Sequence, residues 1–223
     1  MNATADSLLL VQGAYDYLVD EITSSRIRTG ARLSENRIAS DLGISRTPVR
    51  EALQRLEQEG LVRRGSNARF TVAQPTIQEA EEACDLLVLL DTYLARRASE
   101  RMSAEQKAEL LGLVQTMTEA AEAGDRDAWA ESDIQFHRLL NSIADNALVS
   151  ATVKETRRRV QRFWLQAPSM EGRLLACSHE HLDMAQAMID RDDEAIGRAV
   201  EVHVSHMRER VVELLRVTSV LFG

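Results

Sequence analysis

The sequence predicts a mainly α chain built as two units, and three observations carry that expectation. Aromatic residues make up only 4% of the 223 positions and prolines number 3, while Ala, Leu, Glu and Arg recur throughout, a composition that favours helices over sheets. Charge then divides the chain. Between residues 26 and 72 ten arginines stand against five acids, a net of +5 by subtraction, although the whole chain carries −8. Beyond residue 75 the balance reverses to 17 basic against 26 acidic residues, and Pro75 immediately precedes a long helical pattern, so the units are expected at 1–75 and 76–223.

In the first unit Leu8, Val11, Tyr15, Leu18 and Ile22 recur at three-to-four spacing, which gives an opening helix one apolar face. Gly30 and Leu33 then turn the chain. Ser34 is placed to cap a short helix that buries Ile38 and Leu42, and Gly43 stands where a left-handed residue ends it. Ser45 is placed to cap the next helix, in which Val49, Leu53 and Leu56 line the buried face. Arg46, Thr47, Arg50 and Gln54 are left on the opposite side and at the N-terminal end, where a helix-turn-helix enters a major groove. Pro48 fits the first turn, which has no intrahelical N–H bond to lose. After Gly60, LVRRGSNARFTV reads as two short strands around a Gly-Ser-Asn turn, a wing that brings Arg63, Arg64 and Arg69 near phosphates. A basic run alone is ordinarily a solvated helix face. It is the surrounding winged helix-turn-helix pattern that points to double-stranded DNA.

The second unit reads as six helices over 76–101, 103–123, 125–143, 146–167, 170–191 and 192–218, broken at Met102-Ser103, Gly124-Asp125, Asp145-Asn146, Pro168-Ser169 and Asp192-Asp193. In an all-helical antiparallel bundle the informative residues are polar ones on inward faces. Asp133 and His137 lie four apart and share a helix face. His203 sits within the apolar stripe Ile196, Val200, Met207, Val211 and Leu214, and His181 aligns with Met184, Ala185 and Met188. A lone histidine on such a face is ordinarily a hydrogen-bonded core residue. Three with an aspartate, from three helices, make the donor set of one divalent cation per chain such as Zn²⁺, Ni²⁺ or Mn²⁺. His179 and His206 fall toward polar sides and rank below them.

The string SRTPVREALQRLEQEGLV, preceded by GARLSENRIASDLGIS, resembles the recognition-helix signature of the GntR family of bacterial transcription regulators. That resemblance implies that Arg37, Arg46, Thr47 and Arg50 face operator DNA and that Gly65 lies at the wing tip. Asn36 departs from the glutamate many relatives carry, and SNARF replaces their shorter Gly-rich tip. The order D-x3-H, with histidines 44 and 22 residues further on, resembles the metal-binding FCD effector domain of the FadR subfamily. It implies metal ligation by Asp133, His137, His181 and His203. Leu87 departs where relatives place an arginine four residues before an acid, here Asp91, so charge for an anionic ligand would come from Arg157, Arg158, Arg159 or Arg162.

The longest apolar runs, LLLV and LLVLL, fall far short of the roughly 20 residues needed to span a bilayer. The first 21 residues lack a basic stretch ahead of their apolar ones, so a cytoplasmic location is expected. Cys84 and Cys177 are expected to be reduced packing residues. The function expected is a homodimeric, ligand-responsive DNA-binding regulator, not an enzyme, acting as a repressor released by a small carboxylate bound at the metal site. The alternatives are a metal-sensing regulator and a metallohydrolase, the latter because an open position on a histidine-held ion can activate water.

Overall fold

A computed structural model of the chain describes residues 3–23, 26–65, 69–73, 76–164 and 172–222. The chain divides into two compact units, Met1–Pro75 and Thr76–Gly223. In the first unit α1 (Ala3–Thr23) packs on α3 (Arg46–Gln58), with α2 (Glu35–Leu42) between them in sequence. Tyr15, Leu18 and Ile22 of α1 meet Val49, Leu53 and Leu56 of α3 in one core. Leu8, expected on that face, is 66% exposed. Helix α1 has 21 residues and α3 only 13, about 12 Å less at 1.5 Å per residue, so the first turns of α1 extend past the surface that could cover them.

The helix ends follow their capping residues, with one exception. The Ser34 hydroxyl accepts from the Arg37 N–H, and Gly43 closes α2 at φ 66°. Ser45 occupies the N-cap of α3 yet makes no side-chain cap bond. Its usual N3 partner is Pro48, which has no N–H to donate. The wing strands are β2 (Val62–Arg64) and β3 (Phe70–Val72). A third strand, β1 (Arg32–Leu33), pairs with the other side of β3, where the sequence reading had placed only a turn. Two residues are too few to show a period-2 pattern. The wing-tip residues 66–68 lie outside the described residues.

The second unit comprises α4 (Ile77–Arg101), α5 (Ala104–Ala123), α6 (Arg126–Ala144), α7 (Ala147–Trp164), α8 (Leu174–Asp190) and α9 (Asp193–Phe222). Thr76 with Glu79 and Ser103 with Gln106 form reciprocal capping boxes that start α4 and α5. Gly124, Asp145 and Arg191 adopt left-handed conformations at φ 71°, 51° and 56° and stop α5, α6 and α8. The expected break at Pro168-Ser169 lies outside the described residues. Helix α4 packs on α9, α7 and α6, while α5 packs on α6 and α8. Leu87, Leu94, Leu110, Met117, Trp129 and Phe136 fill the centre. Trp129 satisfies its buried indole N–H on the Ser178 hydroxyl at 3.0 Å. No helix among the described residues is long and apolar enough to cross a membrane.

Candidate metal centre and nucleic-acid surface

The basic surface of the first unit is built on α3. Its inward residues fix the helix, and Arg46, Thr47, Arg50 and Gln54 are left exposed. Arg37 of α2 is exposed beside Asp41, and Gly65 is exposed at the end of β2, where its N–H bonds the Arg69 carbonyl at 2.9 Å. Arg63, Arg64 and Arg69 are exposed on the wing, with Arg64 standing over the Phe70 ring. The two arginines of the helix start are not loose. Arg50 donates to both carboxylate oxygens of Glu35, from Nε at 3.0 Å and Nη2 at 2.7 Å, and Arg46 Nη2 reaches the same carboxylate at 3.4 Å. Arg50 holds the Glu35 carboxyl below its ordinary range.

In the second unit α6, α8 and α9 bring Asp133, His137, His181 and His203 together. All four are buried, His181 completely. One ring nitrogen from each of His137, His181 and His203 lies within 4.8 Å of the others. His181 Nε2 is 3.1 Å from Asp133 Oδ1 and 3.4 Å from His137 Nε2, and His137 Nε2 is 3.6 Å from Asp133 Oδ1. Hydrogen bonds set the tautomers. His181 Nδ1 lies 2.8 Å from the Cys177 carbonyl, which can only accept, so Nδ1 carries a proton and Nε2 is the nitrogen available to ligate a metal. His203 Nδ1 donates to Glu180 Oε2 at 3.1 Å and leaves its Nε2 available in the same way. The two histidines are thus oriented by a carbonyl and a carboxylate, the outer partners usual for metal-ligating imidazoles.

This donor set fits a divalent ion. As a neutral ligand, His181 would direct its Nε2 lone pair toward an ion shared with a carboxylate oxygen and a second imidazole nitrogen, donors of the type a divalent cation takes. Metal bonds of about 2.0–2.2 Å place neighbouring ligand atoms about 3 Å or slightly more apart, close to the separations found here. Electrostatics agrees. Burial, followed by the charge of Arg157, pushes His137 well below the ordinary histidine range, and burial with nearby His181 lowers His203, which favours the neutral, ligating rings. Burial opposes ionisation of Asp133, the positive charge of Arg157 favours it, and the carboxyl lies below its ordinary range. Burial raises the Cys177 thiol well above its usual value, so it stays protonated 3.9 Å from His181 and His203.

Two arrangements leave no mark in the sequence. Glu180 accepts from His203, from His206 at 2.7 Å and from Arg173, so half-exposed His206 takes an outer place beside the buried rings, while His179 is exposed. Arg157, expected with Arg158, Arg159 and Arg162 to offer charge to an anionic ligand, is 8% exposed and pairs with buried Asp91. The acid at 91 therefore takes its arginine from α7, and Leu87 on its own helix is core. Arg157 Nε is buried with no hydrogen-bond partner among the described residues. The i,i+4 spacing of Asp133 and His137 is visible in one helix, whereas these partners come from different helices and leave no periodic signal.

Residues 10–72 match the family described as bacterial regulatory proteins, gntR family, and residues 82–206 match the FCD domain. The chain is 26% identical over 212 residues to the HTH-type transcriptional repressor RspR of Escherichia coli K12, covering 95% of this chain and 93% of that one. It is 34% identical over 132 residues to a probable D-xylose utilization operon transcriptional repressor of Paenarthrobacter nicotinovorans, covering 59% and 58%. Among solved structures, E. coli McbR/YncC shares the fold with a TM-score of 0.77 at 20% identity, over 94% of this chain and 98% of that one. The metal-free FCD domain of TM0439 covers 65% of this chain and 99% of its own, with a TM-score of 0.54 at 14% identity.

Proposed function

The chain belongs to the gntR family of bacterial regulatory proteins, with an FCD domain, and is a DNA-binding transcriptional regulator; from that premise we propose that it is a repressor released by a small carboxylate bound among Asp133, His137, His181 and His203. The observation that carries the proposal is the convergence of His181 Nε2, His137 Nε2 and Asp133 Oδ1 in a buried site. A divalent ion held by these four side chains would supply positive charge and open positions for a carboxylate. The chain's own residues do the rest. Cys177 and Glu180 fix the ring orientations, and Phe136 and Trp129 stand edge-on to His181 and exclude water on that side.

The DNA side of the proposal assigns Arg37, Arg46, Thr47, Arg50 and Gly65 to operator contact in a homodimer that reads a short palindrome. Helix α4 offers a face for pairing: Leu86, Leu89 and Tyr93 are exposed at i, i+3 and i+7, Leu89 by 68%. Arg46→Ala should weaken binding to a selected operator duplex by about 1–3 kcal/mol and leave the thermal melt unchanged. Fluorescence anisotropy at fixed salt measures it, and unaltered affinity would remove Arg46 from the interface.

Coupling between the two units is tested by titrating citrate, succinate and lactate into the complex of Zn²⁺-loaded protein with a duplex selected from a random library. A hit should lower DNA affinity by about 5- to 150-fold, a typical allosteric coupling, and His137→Ala should abolish the response. A carboxylate that binds the native protein, not the variant, and leaves DNA affinity unchanged would make the site structural.

A further inference from the structure

Glu35 is an acid in the middle of a basic surface, and its geometry is specific. It is the first residue of α2, where the positive end of the helix favours a carboxylate. Its side chain is 17% exposed, while those of Arg46 and Arg50, which it holds, are 59% and 47% exposed. Glu35 takes the Nε–Nη2 edge of Arg50 in a two-point contact at 3.0 and 2.7 Å. A guanidinium has five N–H donors in a planar fork, so Arg50 keeps the two on Nη1 and one on Nη2. Among the described residues its outer edge is therefore left free, and it is held in one direction, as a bidentate contact to guanine O6 and N7 requires.

The same contact changes the charge presented to DNA. Arg46, Arg50 and Glu35 sum to +1, where the arginines alone would present +2. A phosphate responds to that sum, and its contacts carry no sequence information. A base edge offers neutral acceptors and responds mainly to direction. We propose that Glu35 is a specificity-determining residue of the DNA-reading surface, which aims Arg50 and, with Arg46, restrains it from binding phosphates of unmatched DNA. This rests on the assignment of α3 to the operator.

The experiment compares native protein, Glu35→Gln, Glu35→Ala and Arg50→Ala, all as full chains with thermal melts as folding controls. Each is titrated against the library-selected duplex and against a scrambled duplex of equal length, over a range of salt. Glu35→Gln keeps the shape and removes the charge. It should bind the scrambled duplex several-fold more tightly, steepen the log–log salt dependence by about one phosphate contact, and reduce the selected-to-scrambled ratio by about 10-fold. Glu35→Ala, if folded, should do the same and lose more of the ratio. Unchanged ratio and salt slope in Glu35→Gln overturn the proposal, as does a parallel loss on both duplexes, which marks a purely structural partner. Arg50→Ala separates the two levels of the argument. If it loses discrimination while Glu35→Gln does not, Glu35 alone is misassigned; if Arg50→Ala changes neither duplex, the α3 assignment falls and this proposal with it.

Discussion

His181→Ala is expected to abolish tight binding of Zn²⁺, Ni²⁺ or Mn²⁺ by the helical unit, with affinity lowered by about 100-fold or more. Loss of an outer partner such as Glu180 typically costs about 10- to 100-fold, and His181 stands one shell closer. The size of the effect follows from its position. His181 is fully buried, faces both Asp133 and His137, and is locked by the Cys177 carbonyl, so a neighbouring side chain cannot replace it. The nearest spare imidazole, His206, is already hydrogen-bonded to Glu180. Binding to the folded state alone adds about 2.7 kcal/mol of stability when free ion is 100 times Kd, so native protein should melt higher with added ion. His181→Ala should lose that increment. Metal content by elemental analysis and melts with and without chelator measure both quantities; equal metal content in native protein and variant would remove His181 from the site.

Asp91→Ala is expected to destabilise the helical unit by about 3–5 kcal/mol, because it leaves a buried cation without its partner. Arg157 is 8% exposed, and its Nε lacks a hydrogen bond among the described residues, so loss of the carboxylate leaves little there to offset the charge. The same charge lowers the histidine pKa values, which places its field at the candidate centre. Replacing both partners by apolar residues, Asp91→Leu with Arg157→Met, should recover most of the loss, since the cost lies in the unpaired ion. Denaturant unfolding of the three variants provides the measurement. A loss below about 1 kcal/mol in Asp91→Ala would mean that water reaches Arg157 and that the pair behaves as a surface ion pair.

Much of the bundle was legible because its helix ends are local events. Thr76 with Glu79, Ser103 with Gln106, and Gly124 followed by Asp125 each satisfy backbone groups within a few residues, so sequence spacing carries the information. Elements that depend on remote partners were harder. Strand β1 exists because β3 has a free edge, and Leu8 is exposed because α3 is shorter than α1. The same distinction runs through the sites. Spacing puts Asp133 beside His137, but it is silent about Glu180 orienting His203, Arg157 crossing from α7 to Asp91, or Glu35 gripping Arg50 from another helix. In each case one partner's role is set by which helix face it meets, a property of tertiary packing.

The burial of the four candidate ligands also sets a timescale. With Asp133, His137, His181 and His203 each no more than 6% exposed, passage to the ring nitrogens requires the surrounding helices to separate transiently. Such openings are sub-global fluctuations, slower and rarer than loop motion. Loading and release would then be limited by the breathing of the bundle. A centre of this kind keeps what it acquired on folding for long periods. It would serve poorly as a gauge of moment-to-moment metal supply, and a carboxylate that reaches it must await the same openings.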